Sequence, residues 1–386
     1  MRTLVKHAVG GGWGSDASSG STEEVAVIRG ADFPAVAVGD TSRVPVRWEE
    51  ARKIPQRTLE AGDIVLEISG GTSDRPTGRT VFVSRRLLES LGRRAIPASF
   101  CRLLRVDDTL ADPEYVYWWL QGMYAAGRTW SYQNRSTGIA NFQFEHFLDT
   151  ETVRLPARDE QREIAATLGA LNDKIESNQR AVELAEGLGD AIFLSHVASQ
   201  IELSRISTIT MGSSPPGASY NEISDGVPFY QGTRDFGVRF PERRVWTTEP
   251  VRLASVNDTL FSVRAPVGEV NRAREICCVG RGVAAISSAT PSALFYALRS
   301  SAPIWEPFQG EGTVFGAVNK DDLAKALIPW PSATQLANVE ERLGALDGKV
   351  ESLVEESEKL VKLRDALLPE ILNGRIRVPT APGDRT

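Results

Sequence analysis

The chain repeats itself at a fixed distance. Residues 169–177 read GALNDKIES and residues 344–352 read GALDGKVES, which is an offset of 175 residues in a chain of 386. The same offset aligns Leu168 with Leu343 and Pro156 with Pro331. Because self-similarity at a fixed period marks a duplicated structural unit, the sequence predicts a variable region followed by a long helix, and then both again.

Both repeated segments carry apolar residues at alternating spacings of three and four, which is typical of a coiled-coil seam. Since the offset preserves the register, the two stripes can face each other. The predicted seam consists of Ile164, Leu168, Leu171, Ile175 and Asn178 in the first helix and of Val339, Leu343, Leu346, Val350 and Leu353 in the second, which continues through Leu360, Leu363 and Leu367. A seam asparagine can fix the register at a cost in stability; a capping or partly exposed Asn178 is the alternative.

Prolines, glycines and polar residues set the predicted boundaries. Asp159 and Thr334 are the predicted N-caps of the two helices, and Gly374 follows the second helix in the usual C-terminal position. The predicted organisation is a first variable domain, a helix, a second variable domain, a helix and a flexible tail, at residues 1–155, 156–195, 196–330, 331–375 and 376–386.

The two variable domains combine strand and helix patterns, so the predicted fold class is α+β. Runs of β-branched and aromatic residues predict strands at 25–28, 64–68, 81–83, 259–263 and 282–286. Helices are predicted at 114–125 and 293–298. With the paired helices, this gives two mixed domains separated by two long antiparallel coiled-coil helices, in a molecule with pseudo-two-fold repetition.

Charge is distributed unevenly along the chain. The net charge is -6, but residues 157–195 hold four basic and eight acidic residues, and residues 332–373 hold five basic and nine acidic ones. The rest of the chain therefore carries +2. The acidity lies in the predicted helices, so the variable domains can still present local basic patches to phosphate.

The sequence lacks the usual marks of an enzyme, a metal site or a membrane protein. It has no Walker-type phosphate loop, no [DN]-P-P-[YF] tetrad of amino-methylating enzymes and no G-x-S-x-G elbow. Its three histidines are far apart, and its three cysteines do not form the spaced pairs of a zinc site, so we interpret the cysteines as ordinary buried thiols. No apolar run is long enough to span a bilayer, which predicts a cytoplasmic protein without a membrane partner.

Longer strings carry a family resemblance. MGSSPPGASYNEISDGVPFYQGTRDFG at 211–237, NDTLFSVRAPVGEVNRAREICCVGRGVAAI at 257–286 and GEGTVFGAVNKDDLAKALIPWP at 310–331 occur in the order of a target-recognition domain. In the first half, EAGDIVLEISGG at 60–71 and an LPxxxEQxxIAxxL pattern within 134–177 give a looser version. The chain thus resembles the specificity (S, or HsdS) subunit of type I restriction-modification systems over nearly its whole length. Residues 1–30 depart from the family pattern.

The resemblance implies a function in DNA recognition. Each recognition domain would read one half of a bipartite, asymmetric target in double-stranded DNA, and the helices would hold the domains apart. Two methyltransferase (M) subunits would supply S-adenosylmethionine chemistry, and restriction/translocase (R) subunits would supply ATP- and Mg-dependent cleavage. The chain itself would carry no cofactor or metal and no catalytic residue, and would act in phage defence. A helix of ~34 residues is ~50 Å long, which is enough to span half-sites ~34–36 Å apart on one DNA face.

Base reading needs forked donors and amides, while phosphate contacts need basic and hydroxyl side chains. Polar segments of the variable domains that combine these residue types are the candidate DNA-binding residues. They are Thr72, Ser73, Arg75 and Arg79, then Tyr132, Gln133, Asn134, Arg135, Ser136 and Thr137, interpreted as a loop, and in the second domain Ser213, Ser214, Tyr220, Gln231, Thr233, Arg234 and Arg264. Ordinary solvated loop residues, with the two tyrosines at core edges, are the alternative.

Three other functions fit parts of the pattern. A coiled-coil scaffold or adaptor explains the helices but not the duplicated loop-rich domains. A fused methyltransferase or nuclease would need motifs that the sequence lacks. A specificity subunit of another methylation-based defence system would share every feature above.

Overall fold

A computed structural model describes residues 1–72, 74–136, 139–310 and 316–378. The chain divides into two compact units, of which unit 1 comprises Met1–Ala181 and Leu353–Thr386 and unit 2 comprises Val182–Ser352. Each unit thus contains one variable region together with a part of each long helix.

Unit 1 contains ten strands, five short α-helices and parts of the two long helices among its described residues. The strands are β1 (Val5–Gly10), β2 (Thr22–Ile28), β3 (Val46–Glu50), β4 (Ile64–Glu67), β5 (Ser69–Gly71), β6 (Thr80–Phe82), β7 (Ala95–Pro97), β8 (Cys101–Val106), β9 (Gln133–Ser136) and β10 (Ile139–Phe142). The helices are α1 (Phe33–Val36), α2 (Ile54–Arg57), α3 (Arg85–Leu91), α4 (Pro113–Ala125), α5 (Phe144–Thr150) and α6 (Arg158–Ser195), which continues into unit 2.

Unit 2 follows with eleven strands, three short α-helices and parts of the two long helices among its described residues. The strands are β11 (Val197–Glu202), β12 (Thr208–Met211), β13 (Tyr220–Asn221), β14 (Val227–Tyr230), β15 (Trp246–Thr247), β16 (Leu253–Ala254), β17 (Thr259–Ser262), β18 (Val270–Arg272), β19 (Cys277–Val279), β20 (Val283–Ser287) and β21 (Leu327–Pro331). The helices are α7 (Pro291–Arg299), α8 (Ala302–Trp305), α9 (Lys320–Lys325) and α10 (Ala333–Leu372), which ends in unit 1.

The two units share a sheet topology. Unit 1 has an antiparallel sheet in the order β1-β8-β4-β6, and unit 2 has an antiparallel sheet in the order β12-β20-β17-β18. In each unit a second sheet contains one parallel pair, β2 with β7 and β14 with β19. The repeat that the sequence shows mainly in the helices therefore extends to the strands of the variable regions.

The predicted strands and short helices are confirmed, and helix α4 shows why. Asp112 caps it by accepting hydrogen bonds from the N–H groups of Glu114 and Tyr115, both at 3.0 Å, and Pro113 occupies the first helical turn. Its run of aromatic and aliphatic residues is buried in the unit-1 core, which also includes Leu168 and Leu368. A helix that is apolar on most of its surface is stable only when it is enclosed in this way.

The long helices begin slightly earlier than the sequence predicts. Helix α6 begins at Arg158 and α10 at Ala333, so Asp159 and Thr334 lie in the first turns and the predicted N-caps are wrong. An acidic residue in a first turn still interacts favourably with the helix dipole. The predicted cap at Gly374 is confirmed, since this glycine has a φ of 71° at the end of α10. Most of the predicted tail, from residue 379, lies outside the described residues.

The predicted seam residues are buried or half-buried in the unit that holds them. In unit 1, Ile164, Leu168, Ile175, Asn178 and Leu353 are buried and Leu171 is half-buried; in unit 2, Val339, Leu343 and Val350 are buried and Leu346 is half-buried. Leu363 is exposed, which corrects its assignment to the stripe. The stripe position is one residue later, at Arg364, because spacings of four and three from Leu353 pass through residues 357, 360 and 364.

Polar contacts show that α6 and α10 run antiparallel within unit 1. The Asn178 amide donates to Glu356 Oε2 at 2.9 Å, and the Arg364 guanidinium donates to Asn172 Oδ1 at 3.0 Å. Asn172 precedes Asn178 along α6, but its partner Arg364 follows Glu356 along α10, so the two helices run in opposite directions. Asn178 is only 2% exposed, so the partly exposed alternative does not hold. A buried asparagine with a single acceptor favours one register over its neighbours.

All three cysteines are free and buried, as the sequence predicts. Burial raises the pKa of the Cys101 thiol to about 12, and the same cause raises the pKa of Cys277 to about 12. Since the thiolate is the reactive form, these side chains act as small apolar groups in the cores.

Glu114, on α4, predicts a pH dependence of stability. Burial raises the pKa of its carboxyl from 4.5 to about 7. A Cβ on Gly169 would lie 2.5 Å from Glu114 Oε1, so this glycine of α6 makes room for the side chain. The folded state holds the Glu114 proton more tightly than the unfolded state does. The contribution of protonated Glu114 to the free energy of unfolding is therefore fully present below about pH 4.5 and is lost as the pH rises towards 7.

We expect Glu114→Gln to remove that loss. Thermal melts of the full chain between about pH 5 and about pH 8 should show wild type falling below the variant as the pH rises, with the difference levelling off above the folded pKa. Glu89→Gln, at an exposed position of α3, is the control. A wild type and variant with parallel pH profiles would contradict the role of Glu114.

Candidate nucleic-acid interface

Unit 2 contains a cleft of about 880 Å³ that gathers predicted residues from distant parts of the sequence. Its walls come from the segments that follow β12, β14, β17 and β19 and from the segment that precedes β15. Five of the predicted DNA-binding residues line it, namely Ser214, Gln231, Thr233, Arg234 and Arg264. Sequence reasoning selected these residues one by one, and the sheet topology places them on one surface.

Three side chains of this cleft present polar atoms that no other described residue occupies. Gln231, Arg234 and Arg264 are exposed, and their side chains have no hydrogen-bond or ion-pair partner among the residues described. The backbone under Gln231 is nevertheless held, because its N–H donates to Asp235 Oδ2 at 2.8 Å. Free guanidinium and amide groups on a fixed backbone are the donors and acceptors that base edges require.

Three further arginines line the cleft that the sequence analysis did not select. Arg243 and Arg244 form ion pairs with Glu275 and Asp235. The third, Arg281, donates through Nε to Ser214 Oγ at 3.3 Å. The basic doublet at 243–244 and the glycines around residue 281 were visible in the sequence, but only the fold brings them beside Gln231. Together they make the cleft electropositive, which favours a polyanion such as DNA.

The two remaining unit-2 candidates lie beside the cleft. The Ser213 N–H donates to the Val279 carbonyl at 3.0 Å and fixes the loop after β12. The Tyr220 ring packs 4.9 Å from that of Phe229, and its hydroxyl donates to the Pro215 carbonyl at 3.0 Å. Both residues support the wall of the cleft.

In unit 1, two predicted arginines bind a buried carboxylate. Arg79 pairs with Glu67 through Nε at 2.9 Å and Nη2 at 2.6 Å, and Arg75 reaches the same carboxylate at 3.2 Å. Glu67 is buried, and each guanidinium also donates to a backbone carbonyl at 2.6 Å. Most of their donors are therefore used in holding the loop. Thr72 lies in this loop and its hydroxyl accepts from the Arg75 N–H at 3.1 Å; Ser73 lies outside the described residues.

Residues 133–136 of the predicted loop form a β-strand, β9, which corrects the sequence interpretation. Strand β9 pairs with β10, and a polar strand of four residues carries too little pattern to be recognised without its partner. Tyr132 is buried and donates to Glu151 Oε2 at 2.7 Å, while Gln133 Oε1 accepts from the Thr77 N–H at 2.9 Å. Asn134 is exposed, Arg135 and Ser136 belong to β9, and Thr137 lies outside the described residues.

Unit 1 has its own cleft, of about 660 Å³, which the sequence analysis missed. Arg75 and Arg79 line one side of it. The other side is formed by side chains from four separate segments, namely Trp13, Arg29, Ser69, Ser99 and Phe100. Trp13 is 39% exposed and Phe100 is 62% exposed. The glycine-rich opening before Trp13 is hydrogen-bonded to the strands, through the N–H groups of Gly11 and Gly12.

Within the described ranges, no group of three or more His, Cys, Asp and Glu side chains is arranged to hold a metal ion. Among the helices of those ranges, none combines the length and the apolar character that crossing a bilayer requires.

Comparison with known proteins gives the family. No protein-family model matches the chain. The chain is 31% identical over 312 residues to a Methanocaldococcus jannaschii protein assigned as the specificity subunit of the type I restriction enzyme MjaX, and the match covers 72% of this chain and 71% of that protein. The fold is similar to the crystal structure of a type I restriction-modification S subunit from M. genitalium, with a TM-score of 0.56, 15% identity and coverage of 96% and 94% of the two chains. The chain therefore belongs to the family of type I restriction-modification specificity subunits, as its sequence motifs predict.

Proposed function

We propose that the chain binds double-stranded DNA through the clefts of its two units and directs a methyltransferase complex to one bipartite, asymmetric target. The observation that carries this proposal is the unit-2 cleft, where Gln231, Arg234 and Arg264 present side chains that have no partner in the described part of the chain, among further arginines. Arginine reads guanine and glutamine reads adenine by paired hydrogen bonds in the major groove. A cleft of this composition in a specificity subunit is suited to base reading.

The internal repetition supports the bipartite form of the target. Two units of one topology present two clefts, and a duplicated protein reads a target of two half-sites. The clefts carry different side chains, so the half-sites would differ in sequence. The long helices α6 and α10 would form an antiparallel coiled coil that sets the distance between the half-sites.

The catalytic groups would belong to partner subunits. In this proposal two methyltransferase subunits supply S-adenosylmethionine chemistry on adenine, and restriction/translocase subunits add ATP- and Mg-dependent cleavage in systems that restrict. The chain itself contributes the address and no reacting group. The assembly would work in the cytoplasm, where both the chromosome and invading DNA are accessible.

The test is co-expression of the chain with the methyltransferase of its own system in a host without DNA methylation, followed by genome-wide mapping of N6-methyladenine. We expect one bipartite motif with a fixed spacer, methylated on both strands, that is lost when this chain is omitted. Association with the methyltransferase without any methylated motif would contradict DNA addressing, and absence of both would favour the scaffold or adaptor function.

A further inference from the structure

The loop after the first strand is anchored identically in the two units. In each unit, two successive N–H groups of this loop donate to backbone carbonyls of two strands that are joined by a turn. These strands are β7 and β8 in unit 1 and β19 and β20 in unit 2. The four bonds are Gly11 to Cys101 at 3.0 Å and Gly12 to Pro97 at 2.9 Å in unit 1, and Gly212 to Val283 and Ser213 to Val279, both at 3.0 Å, in unit 2. A Cβ on either first glycine would lie 2.1 Å from a carbonyl oxygen of that turn. Trp13 of unit 1 therefore occupies the position of Ser214 of unit 2.

The parallel strand pairs extend this equivalence. Ile28 pairs with Pro97 in unit 1, as Tyr230 pairs with Val279 in unit 2. The next residue along the chain is Arg29 in unit 1 and Gln231 in unit 2. In both units the N–H of that residue donates to an aspartate Oδ2, of Asp32 at 2.9 Å and of Asp235 at 2.8 Å. Arg29 thus stands where unit 2 presents Gln231.

The middle strands give the last two positions. The Ile68 N–H donates to the Phe100 carbonyl at 2.9 Å, and the Val263 N–H donates to the Gly282 carbonyl at 3.0 Å. Phe100 therefore corresponds to Gly282, and Ser69, which follows Ile68, corresponds to Arg264. Ser69 and Phe100 line the unit-1 cleft, and Arg264 and Gly282 line the unit-2 cleft.

The two equivalent clefts differ in chemistry. Unit 2 presents free cationic and amide groups. Unit 1 presents two exposed rings, and Arg29 is bound to Asp32 by an ion pair of 2.6 Å. The Arg47 guanidinium lies 4.6 Å from the centre of the Trp13 ring, which holds that ring in place. An apolar, preformed surface at a base-reading position suits the methyl group of thymine, the one apolar group that a base edge displays in the major groove.

We propose that Trp13 and Phe100 are specificity-determining residues of unit 1 and read a thymine methyl group in the first half-site. This inference rests on the proposed function. It places the unit-1 readers at positions equivalent to Ser214 and Gly282 and not on strands β9 and β10. The first half-site accordingly contains an A·T pair whose thymine can be tested by removing one methyl group.

The test uses the purified complex of the full chain with its methyltransferase and duplexes carrying the mapped motif. Each thymine of the two half-sites is replaced in turn by deoxyuridine, which lacks only the methyl group. We expect one replacement in the unit-1 half-site to weaken wild-type binding about fourfold, the effect of one buried methyl group. Trp13→Ala and Phe100→Ala should weaken binding on thymine DNA and abolish the difference between thymine and deoxyuridine.

Matched controls separate a local effect from damage to the fold. Trp130→Ala changes the same residue type in the same unit at 40% exposure, outside the cleft, and should retain the full thymine preference. Phe100→Leu keeps an apolar side chain and should restore part of the preference. Thermal melts of each variant should match wild type, because both rings are substantially exposed.

The outcomes distinguish this inference from the proposed function. A complex that methylates a bipartite motif but shows no deoxyuridine effect, or retains it in both alanine variants, overturns the reading of thymine by these rings. Variants that fail to bind the methyltransferase while keeping their specificity show that the rings form a protein contact, which also overturns it. A wild-type complex that methylates no motif contradicts the proposed function instead.

Discussion

Asp347→Ala is expected to destabilise unit 2 by about 3–5 kcal/mol, because it leaves two buried arginines without their shared partner. Asp347 of α10 forms ion pairs with Arg239 and with Arg272, and all three side chains are buried. The Arg239 guanidinium also stacks over the Phe295 ring, 3.5 Å from its centre. Burial lowers the pKa of Arg239, which shows how far the fold removes this cation from water.

The same cluster explains why the loss should be large. Glu186 of α6 contributes a second buried carboxylate, at 3.9 Å from Arg239 and 2.9 Å from Arg299. Without Asp347, Arg239 and Arg272 would repel each other in a region that water hardly reaches. The cluster therefore joins the second variable region to parts of both long helices within unit 2, and one substitution affects all three.

Urea unfolding of the full chain measures this prediction. Glu341→Ala, at an exposed position of the same helix, is the matched control and should change the free energy of unfolding by less than about 0.5 kcal/mol. Asp347→Asn should be intermediate, because the amide oxygen still accepts a hydrogen bond. A loss below about 1 kcal/mol for Asp347→Ala would show that water compensates the two arginines.

Arg264→Ala should reduce discrimination in the unit-2 half-site by about fivefold to 150-fold, since a bidentate contact to a base is worth ~1–3 kcal/mol. Arg264 is exposed in the cleft and unpaired among the described residues. Gln231→Ala is expected to act in the same direction at another base pair. Discrimination is measured as methylation rate on the cognate duplex relative to duplexes with single base changes in each half-site.

A charge-preserving variant distinguishes base reading from phosphate contact. Arg264→Lys keeps the positive charge but loses the planar fork, so it should lose discrimination almost as alanine does. Arg205→Ala removes an exposed arginine of the same unit outside the cleft and should leave discrimination unchanged. Arg264 contacts a phosphate if Arg264→Ala weakens binding equally on all sequences and reduces the salt dependence of binding, while Arg264→Lys binds as wild type does.

The sequence alone determined the family, the duplication and most of the regular structure. The 175-residue repeat, the apolar stripes and the strand runs are local patterns, and local patterns are what period and propensity report. The same reasoning selected Gln231 and Arg264, which are exposed and line one cleft, because polar residues in a loop with few apolar neighbours remain solvent-exposed in the fold.

The tertiary structure alone decided which of these residues lie together and which have their donors occupied. Arg75 and Arg79 looked available in the sequence, but the buried Glu67 occupies them. Trp13 and Phe100 looked unrelated, but strand pairing brings both into one cleft. Hydrogen bonding between strands joins residues that are tens of positions apart, and no period or composition along the chain records that pairing. The sequence therefore predicted more of the residues that line the unit-2 cleft than of those that line the unit-1 cleft. In unit 1, the side chains that face the cleft depend on long-range strand register.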